Sequence, residues 1–223
     1  MPNVIICAAN TNGAGSSTVA QLFAHAIQPL GRPTRLVGCW PLSEELSDLT
    51  YDGYQFSKTD LRDENSADML YQQIESSDPD SVFLLDVSAP LVGCLFERDA
   101  AVLKALCGIP GISFHSYFVV NARKSWAKQV LDIWDRHSDL IGLSLIYNKF
   151  WSDDLVVERR LARWKEDVDR ANMLESGLVE FDLPHIPPNL MPQATRYSSG
   201  RVKYLRQRSL LNPIYKKLAL GLV

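Results

Sequence analysis

The sequence predicts an α/β fold, a mostly parallel sheet flanked by helices, in a single domain that carries a basic C-terminal tail. Three observations point there. Apolar runs of strand length alternate with segments of helical periodicity. The runs are apolar throughout rather than at every second residue, as strands buried on both faces are. A glycine loop joins the first run to the first helix, as phosphate-binding loops do. The 223 residues suffice for one domain with a sizeable core and would make two small ones.

Residues 3–9, NVIICAA, read as the first buried strand. Val19, Leu22, Phe23, Ala26 and Ile27 then follow helical spacing. TRLVGCW (34–40) is a second strand after a GRP turn, and the polar stretch 43–64 reads as a long surface loop. Residues 66–76 form a helix with Met69, Leu70 and Ile74 inward. SVFLLDV (81–87) is the strongest strand signal, followed by a helix over 98–107 that stops before Gly108 and Pro110. SFHSYFVVN (113–121) is a strand, and Trp126, Val130, Ile133 and Trp134 line the helix after it. LIGLSLIYN (140–148) is a strand. Val157, Leu161, Trp164, Val168 and Ala171 then mark one charged helix, and GLVEFDL (177–183) is a final strand stopped by PHIPP. Residues 1–190 therefore form the α/β domain and 191–223 a basic extension.

An apolar fraction of 46% and a charged fraction of 22% are ordinary for a soluble globular protein. No window is long and apolar enough to cross a bilayer, and no basic stretch precedes the first apolar run, so a signal peptide is not expected and cytoplasmic residence is. Cys7, Cys39, Cys94 and Cys107 form no CxxC pair and read as small buried hydrophobes in a reducing compartment. His115 and His137 lack an evident catalytic partner in sequence and read as structural, and the tryptophans at helical spacing as core. The net charge of −3 is unevenly spread: seven of the 23 basic residues and none of the 26 acidic ones lie in 196–223. An acidic body with a basic tail implies an anionic partner for the tail.

A parallel sheet presents ligands at the carboxyl ends of its strands. The first such end is Asn10 to Thr18, NTNGAGSST. On the phosphate-loop template G-x-x-x-x-G-K-[ST], Gly15 and Ser17 match, Asn10 stands for a glycine and Ser16 for the lysine. Glycines are needed there because main chain must approach phosphate closely and adopt positive φ. A dinucleotide-binding reading of GAGSST lacks its third glycine and its acidic residue after the second strand. Alternatively, the glycines make only a tight turn and Ser16 or Ser17 only caps the helix.

The segment resembles the deviant P-loop of the ParA and MinD family of ATPases, x-K-G-G-x-G-K-[ST]-T. Gly13, Gly15, Ser17 and Thr18 match, while Thr11 and Ser16 stand where both lysines belong. VFLLDVSAP resembles the Walker B strand, SYFVVNARKSWAKQVLDIW the strand and helix that follow, and LIGLSLIYNKF the strand whose terminal asparagine reads adenine. Within that P-loop NTPase group the chain looks similar to StbB-type plasmid stability and conjugation proteins. The resemblance implies ATP held by Asn12, Gly13, Ala14, Gly15, Ser16, Ser17 and Thr18, with Asn148 at the base and residues 184–188 covering it. It implies Mg2+ at Ser17 and Asp86, with Asp86 the catalytic carboxylate, and a homodimer. It also implies a DNA-bound adaptor protein as partner in plasmid or chromosome partition or conjugal transfer.

Loss of both lysines leaves enzymatic activity open. A P-loop lysine offsets charge on the β- and γ-phosphates, and losing such a contact costs about 2.7–4 kcal/mol, judged from an oxyanion donor. Arg123, Lys124 and Lys149 are the cations at strand ends that could substitute, and the family's switch aspartate has no counterpart beyond Glu44 and Glu45. Three functions follow: a weak ATP binder serving as an assembly partner; an active NTPase or small-molecule kinase with its cation supplied in trans; and a scaffold that binds no nucleotide. The tail 196–223 suits DNA backbone contact, an anionic membrane through Ile214 to Val223, or a solvated or partner-docking segment. Pro213 divides it.

Overall fold

Seven parallel strands form one sheet in the order β3-β2-β4-β1-β5-β6-β7. The strands are β1 Asn3–Ala9, β2 Thr34–Cys39, β3 Gln55–Thr59, β4 Val82–Val87, β5 Ser113–Val120, β6 Gly142–Asn148 and β7 Val179–Leu183. The computed structural model describes residues 2–27, 30–40, 55–97, 101–122, 124–148 and 155–183. Arg123, Lys149, Glu44, Glu45, the 184–188 loop and the tail lie outside them.

β1 is central because nearly every one of its side chains must leave water: Val4 to Ala9 are all buried. It pairs with β4 on one side, Cys7 facing Asp86, and with β5 on the other, Cys7 facing Tyr117. The chain moves outward from β1 to β2 and β3, returns to β4 beside β1, then crosses to β5. That reversal opens a crevice at the carboxyl ends of the central strands.

The helices are α1 Ser16–Ile27, α2 Glu64–Glu75, α3 Ala89–Val92, α4 Ala101–Cys107, α5 Ala127–His137, α6 Leu155–Lys165 and α7 Val168–Glu175. A π-helical turn, Gly93–Glu97, continues α3. α2 to α7 cover one face of the sheet, their Ile74, Leu91, Leu106, Ile133, Trp164 and Met173 meeting Ile6, Leu85, Phe118 and Leu145. On the other face, α1 is the one described helix, and its Val19, Phe23 and Ile27 meet Ile5, Leu84, Val119 and Ile146. No described helix is long and apolar enough to cross a membrane.

Several local expectations change. Residues 43–64 hold an edge strand, β3, inside the stretch expected to be loop. Its QFSKT sequence has one large apolar residue because an edge strand meets a single neighbour. Asp63 caps α2 by accepting from the Ser66 amide, and that start turns Leu70 and Ile74 inward while Met69 is 60% exposed. The helix expected over 98–107 is α4 alone, and α3 with its π turn precedes it unforeseen. The single helix expected from Val157 to Ala171 is two. Asp167 is extended (φ −73°, ψ 130°) and caps α7 by accepting from the Asp169 amide, so Val168 begins a new helix facing water.

Both histidines are structural, as expected. His137 is buried with Nε2 2.8 Å from the Phe96 carbonyl oxygen, and His115 Nε2 lies 2.8 Å from Ser144 Oγ. Trp126 and Trp164 are buried edge to face, ring centroids 4.8 Å apart. Trp164 Nε1 donates to Tyr147 Oη at 2.6 Å, Tyr147 donates to Glu180 at 2.6 Å, and Arg170 grips the same carboxylate at 3.0 and 2.7 Å. This network fastens α6, α7 and β7 to β6. The half-buried Glu180 carboxyl is held below its usual range, because these donors outweigh the effect of burial.

The His115 ring fills the space where a side chain on Gly142 would begin, since a Cβ there would meet Nδ1 at 2.3 Å. Gly142→Ala is expected to cost about 1–3 kcal/mol in urea unfolding, and much less when His115→Ala is present.

Candidate functional site

The loop after β1 is shaped by two positive-φ glycines, Gly13 (φ 75°) and Gly15 (φ 110°). A turn closes between them and β1, the Ala14 amide donating to the Thr11 carbonyl at 3.2 Å. α1 begins at Ser16, and its first intrahelical bond runs from the Val19 amide to the Gly15 carbonyl at 3.0 Å. The amides of Ser16, Ser17 and Thr18 lie in the first turn, where none has a helical acceptor. They point out of a helix N-terminus with the positive end of its dipole.

Three asparagines build the crevice. Asn10 Nδ2 donates to the Asn121 carbonyl at 3.2 Å, and the Asn121 amide donates back to Asn10 Oδ1 at 2.9 Å, joining the ends of β1 and β5. Asn10 thus occupies a template glycine's place as a clasp. Asn148, at the end of β6, donates from Nδ2 to the Ala14 carbonyl and is buried. The structure brings Asn148 against the loop itself. A Cβ on Gly15 would meet Asn148 Nδ2 at 3.1 Å, so this position needs glycine for space as well as for φ.

Asp86 stands on β4, paired with Cys7 of β1, and alternates onto the α1 face with Val82 and Leu84. Its side chain is 0% exposed, and neither carboxylate oxygen has a hydrogen bond of normal geometry. Burial raises its pKa to about 6, while the nearby Ser17 and Ser16 hydroxyls favour the charged form and limit the rise. Two residues on, the buried Ser88 hydroxyl is also without a partner. Burial, and then the Asp86 charge, push the thiols of Cys7 and Cys39 upward, which fits their reading as inert core cysteines.

A strand, a glycine loop and a helix N-terminus stand beside a parallel neighbour strand whose aspartate points beneath that helix. This is a parallel α/β sheet with a glycine loop and a helix N-terminus at its carboxyl edge, the layout in which phosphate-binding loops are built. The sheet and the glycine loop sit where the sequence placed them, and Asp86 lies on β4 beside β1. Thr18 is buried, while Asn12 and Gly13 are exposed at the loop tip. The site differs from its template in charge: residues 1–31 contain no Lys, Arg, Asp or Glu. Of the three substitute cations, Lys124 is described; it is exposed, and its amide donates to the Asn121 carbonyl at 3.1 Å. Sequence reasoning missed Asp60, a buried carboxylate just past β3 held by Arg62 at 2.6 and 2.9 Å. Recognising β3 as a strand was the signal that would have placed it at the carboxyl edge.

No protein-family model and no curated protein matches the chain. Among solved structures it is similar to FlhF complexed with GMPPNP and Mg(2+), at TM-score 0.43 and 15% identity over 81% of this chain and 64% of that one. It is also similar to a nucleotide-binding protein from Archaeoglobus fulgidus in complex with ADP, at TM-score 0.48 and 14% identity over 89% and 86%. Chloroplast FtsY from Physcomitrella patens gives TM-score 0.48 and 17% identity over 92% and 65%. The chain thus spans just under two thirds of the FlhF and FtsY chains. At these identities the likeness concerns the fold alone.

Asp86 sets a pH dependence with a definite sign. Its folded pKa, about 6, lies above the ordinary 3.8, so between those values the folded state binds more protons than the unfolded one. Stability contributed by this group therefore falls as pH rises through that window, by about 3 kcal/mol in total. Relative to the wild type, Asp86→Asn is expected to gain stability progressively from pH 4 to pH 7. Urea midpoints across that range check this, and taking the difference cancels other titrating groups.

Proposed function

We propose that the chain binds a nucleoside triphosphate with magnesium at the loop Asn12–Thr18, and that it acts as an assembly partner rather than a fast enzyme. One observation supports this above the others. Asp86 is a fully buried carboxylate whose oxygens lack a hydrogen bond of normal geometry and have only the Ser17 and Ser16 hydroxyls near them, at a helix N-terminus. Such a group is costly unless a cation completes it. Ser17 and Asp86 offer oxygen ligands of the kind magnesium takes, and the loop amides offer donors for phosphate. When bound, magnesium supplies positive charge to the phosphate oxygens, and the chain's own amides and the α1 dipole hold and orient them.

The missing lysines argue for slow turnover. Ser16 offers a neutral hydroxyl where a cation would meet developing charge, which lowers the rate about 10²–10³-fold. The ParA/MinD-like, StbB-type resemblance of the loop, with the basic composition of 196–223, supports a role in plasmid or chromosome partition or conjugal DNA transfer. In that role a DNA-bound adaptor is the partner and a homodimer the working form.

Calorimetry with ATP and magnesium tests this. Binding is expected with the wild type, lost with Gly15→Val because φ 110° and the Asn148 contact both exclude a side chain there, and weakened with Asp86→Asn. No binding by the wild type would leave the scaffold reading. Rapid turnover stimulated by DNA or a partner, and abolished by Asp86→Ala, would instead mark an active NTPase with its cation supplied in trans.

A further inference from the structure

The loop has no lysine, but one row of the sheet brings a cation to its face. Cys7 of β1 stands level with Asp86 of β4, Asp86 with Gly38 of β2, and Gly38 with Lys58 of β3. Side chains level with one another across a sheet point to one face, so these belong to the face that α1 covers. Strands lie about 4.8 Å apart, which sets the backbones of Asp86 and Lys58 about 10 Å apart. Gly38 adds no side chain between them, and the Trp40 indole takes that space: a Cβ on Gly38 would meet its ring carbons at 3.0 Å. Phe56 of β3 lies beside the ring at a tilt, centroids 5.8 Å apart, and Lys58 Nζ stands 5.8 Å from the ring centroid. Trp40 is buried, whereas Lys58 is exposed.

We propose that Lys58, resting on Trp40, engages the terminal phosphate of a bound nucleoside triphosphate and makes the site prefer it to the diphosphate. The inference rests on the nucleotide reading above. Magnesium in a phosphate loop bridges the β- and γ-phosphates. With magnesium between Ser17 and Asp86, the terminal phosphate lies on the Asp86 side of the loop, the side from which β2 and β3 extend. Lys58 is the cation of that row, on a flexible four-carbon stem that spans much of the gap.

Trp40 gives an exposed lysine a fixed resting place. It follows β2 at the carboxyl edge of the sheet, and its amide donates to the Thr59 carbonyl at 3.1 Å, so it is fastened to β3 as well. The contact of an ammonium with an aromatic face is weak at an exposed site, and a phosphate oxygen offers a stronger, charge-assisted bond. The ammonium can therefore leave the ring when a phosphate arrives and return when it departs. Arg62, further along, is committed elsewhere: it grips the buried Asp60 carboxylate at 2.6 and 2.9 Å. The edge strand β3 thereby becomes the part of the fold that registers which nucleotide is bound.

Calorimetry on the full-length protein, with magnesium and either ATP or ADP, tests this. Lys58→Met, a surface change on an edge strand, is expected to lower ATP affinity about 10-fold and to leave ADP affinity unchanged. Lys58→Arg should retain most of the ATP affinity, since the charge and the aromatic contact both survive. The ATP affinity of the wild type should also fall more steeply with salt than that of Lys58→Met. Equal losses for ATP and ADP, or no loss for either, would overturn the proposal and leave the nucleotide reading standing, as would a wild type that binds both nucleotides equally. A wild type that binds neither nucleotide would overturn both.

Discussion

The site depends on a carboxylate that water cannot reach. Asp86 is placed by β4 at full burial, with Val82 and Leu84 on the same face and Cys7 across the register. An isolated buried charge is among the most expensive things a fold can hold. It is tolerable here because the N-terminal end of α1 and two serine hydroxyls face it, and because a proton can neutralise it at mild acidity. The glycine loop fixes where α1 begins, and α1 is the one described helix on its face. Loop, helix and aspartate therefore constrain one another, and none would be expected in its present form without the others.

Around that carboxylate the described walls are polar but uncharged. Asn10 and Asn121 clasp the ends of β1 and β5, and Asn148 ties β6 to the loop through the Ala14 carbonyl. Amide side chains can donate and accept together, so they close a crevice without altering its field. With no charged residue before Arg32, the loop's own contribution to the field comes from its main-chain dipoles. A lysine would have dominated that field. Among the described residues at the loop, its absence leaves the amides and Asp86 as the features that decide what the site prefers.

Much of this was readable from the sequence, and the exceptions have physical causes. Buried parallel strands announce themselves as unbroken apolar runs, so β1, β4, β5 and β6 were evident. β3 was not, because an edge strand needs few apolar residues. The break between α6 and α7 was hidden because the apolar spacing continues across it, while the local signal, Asp167 as a cap, is short. α3 and its π turn carry a proline and a glycine inside a helical stretch, which argues against a helix until Leu91, Leu95 and Phe96 are seen packed. The loop glycines were visible through their spacing, and Asp86 through the resemblance of VFLLDVSAP to a Walker B strand. The pairing of Asn10 with Asn121 was not, since 111 residues separate them and nothing local marks such a contact.

The central place of β1 bears on how the molecule comes into being on the ribosome. Asn3 lies opposite Val82 in one direction and Ser113 in the other, and no hairpin offers it an earlier partner. At ordinary elongation rates, about 5–20 residues per second, the first strand and its uncharged loop wait several seconds for the strand that shelters them. During that interval the nascent chain presents its most apolar segment unpaired. Long-range parallel pairing of this kind is intrinsically slow, so a molecule whose central strand pairs only with strands made later has reason to rely on chaperones during synthesis.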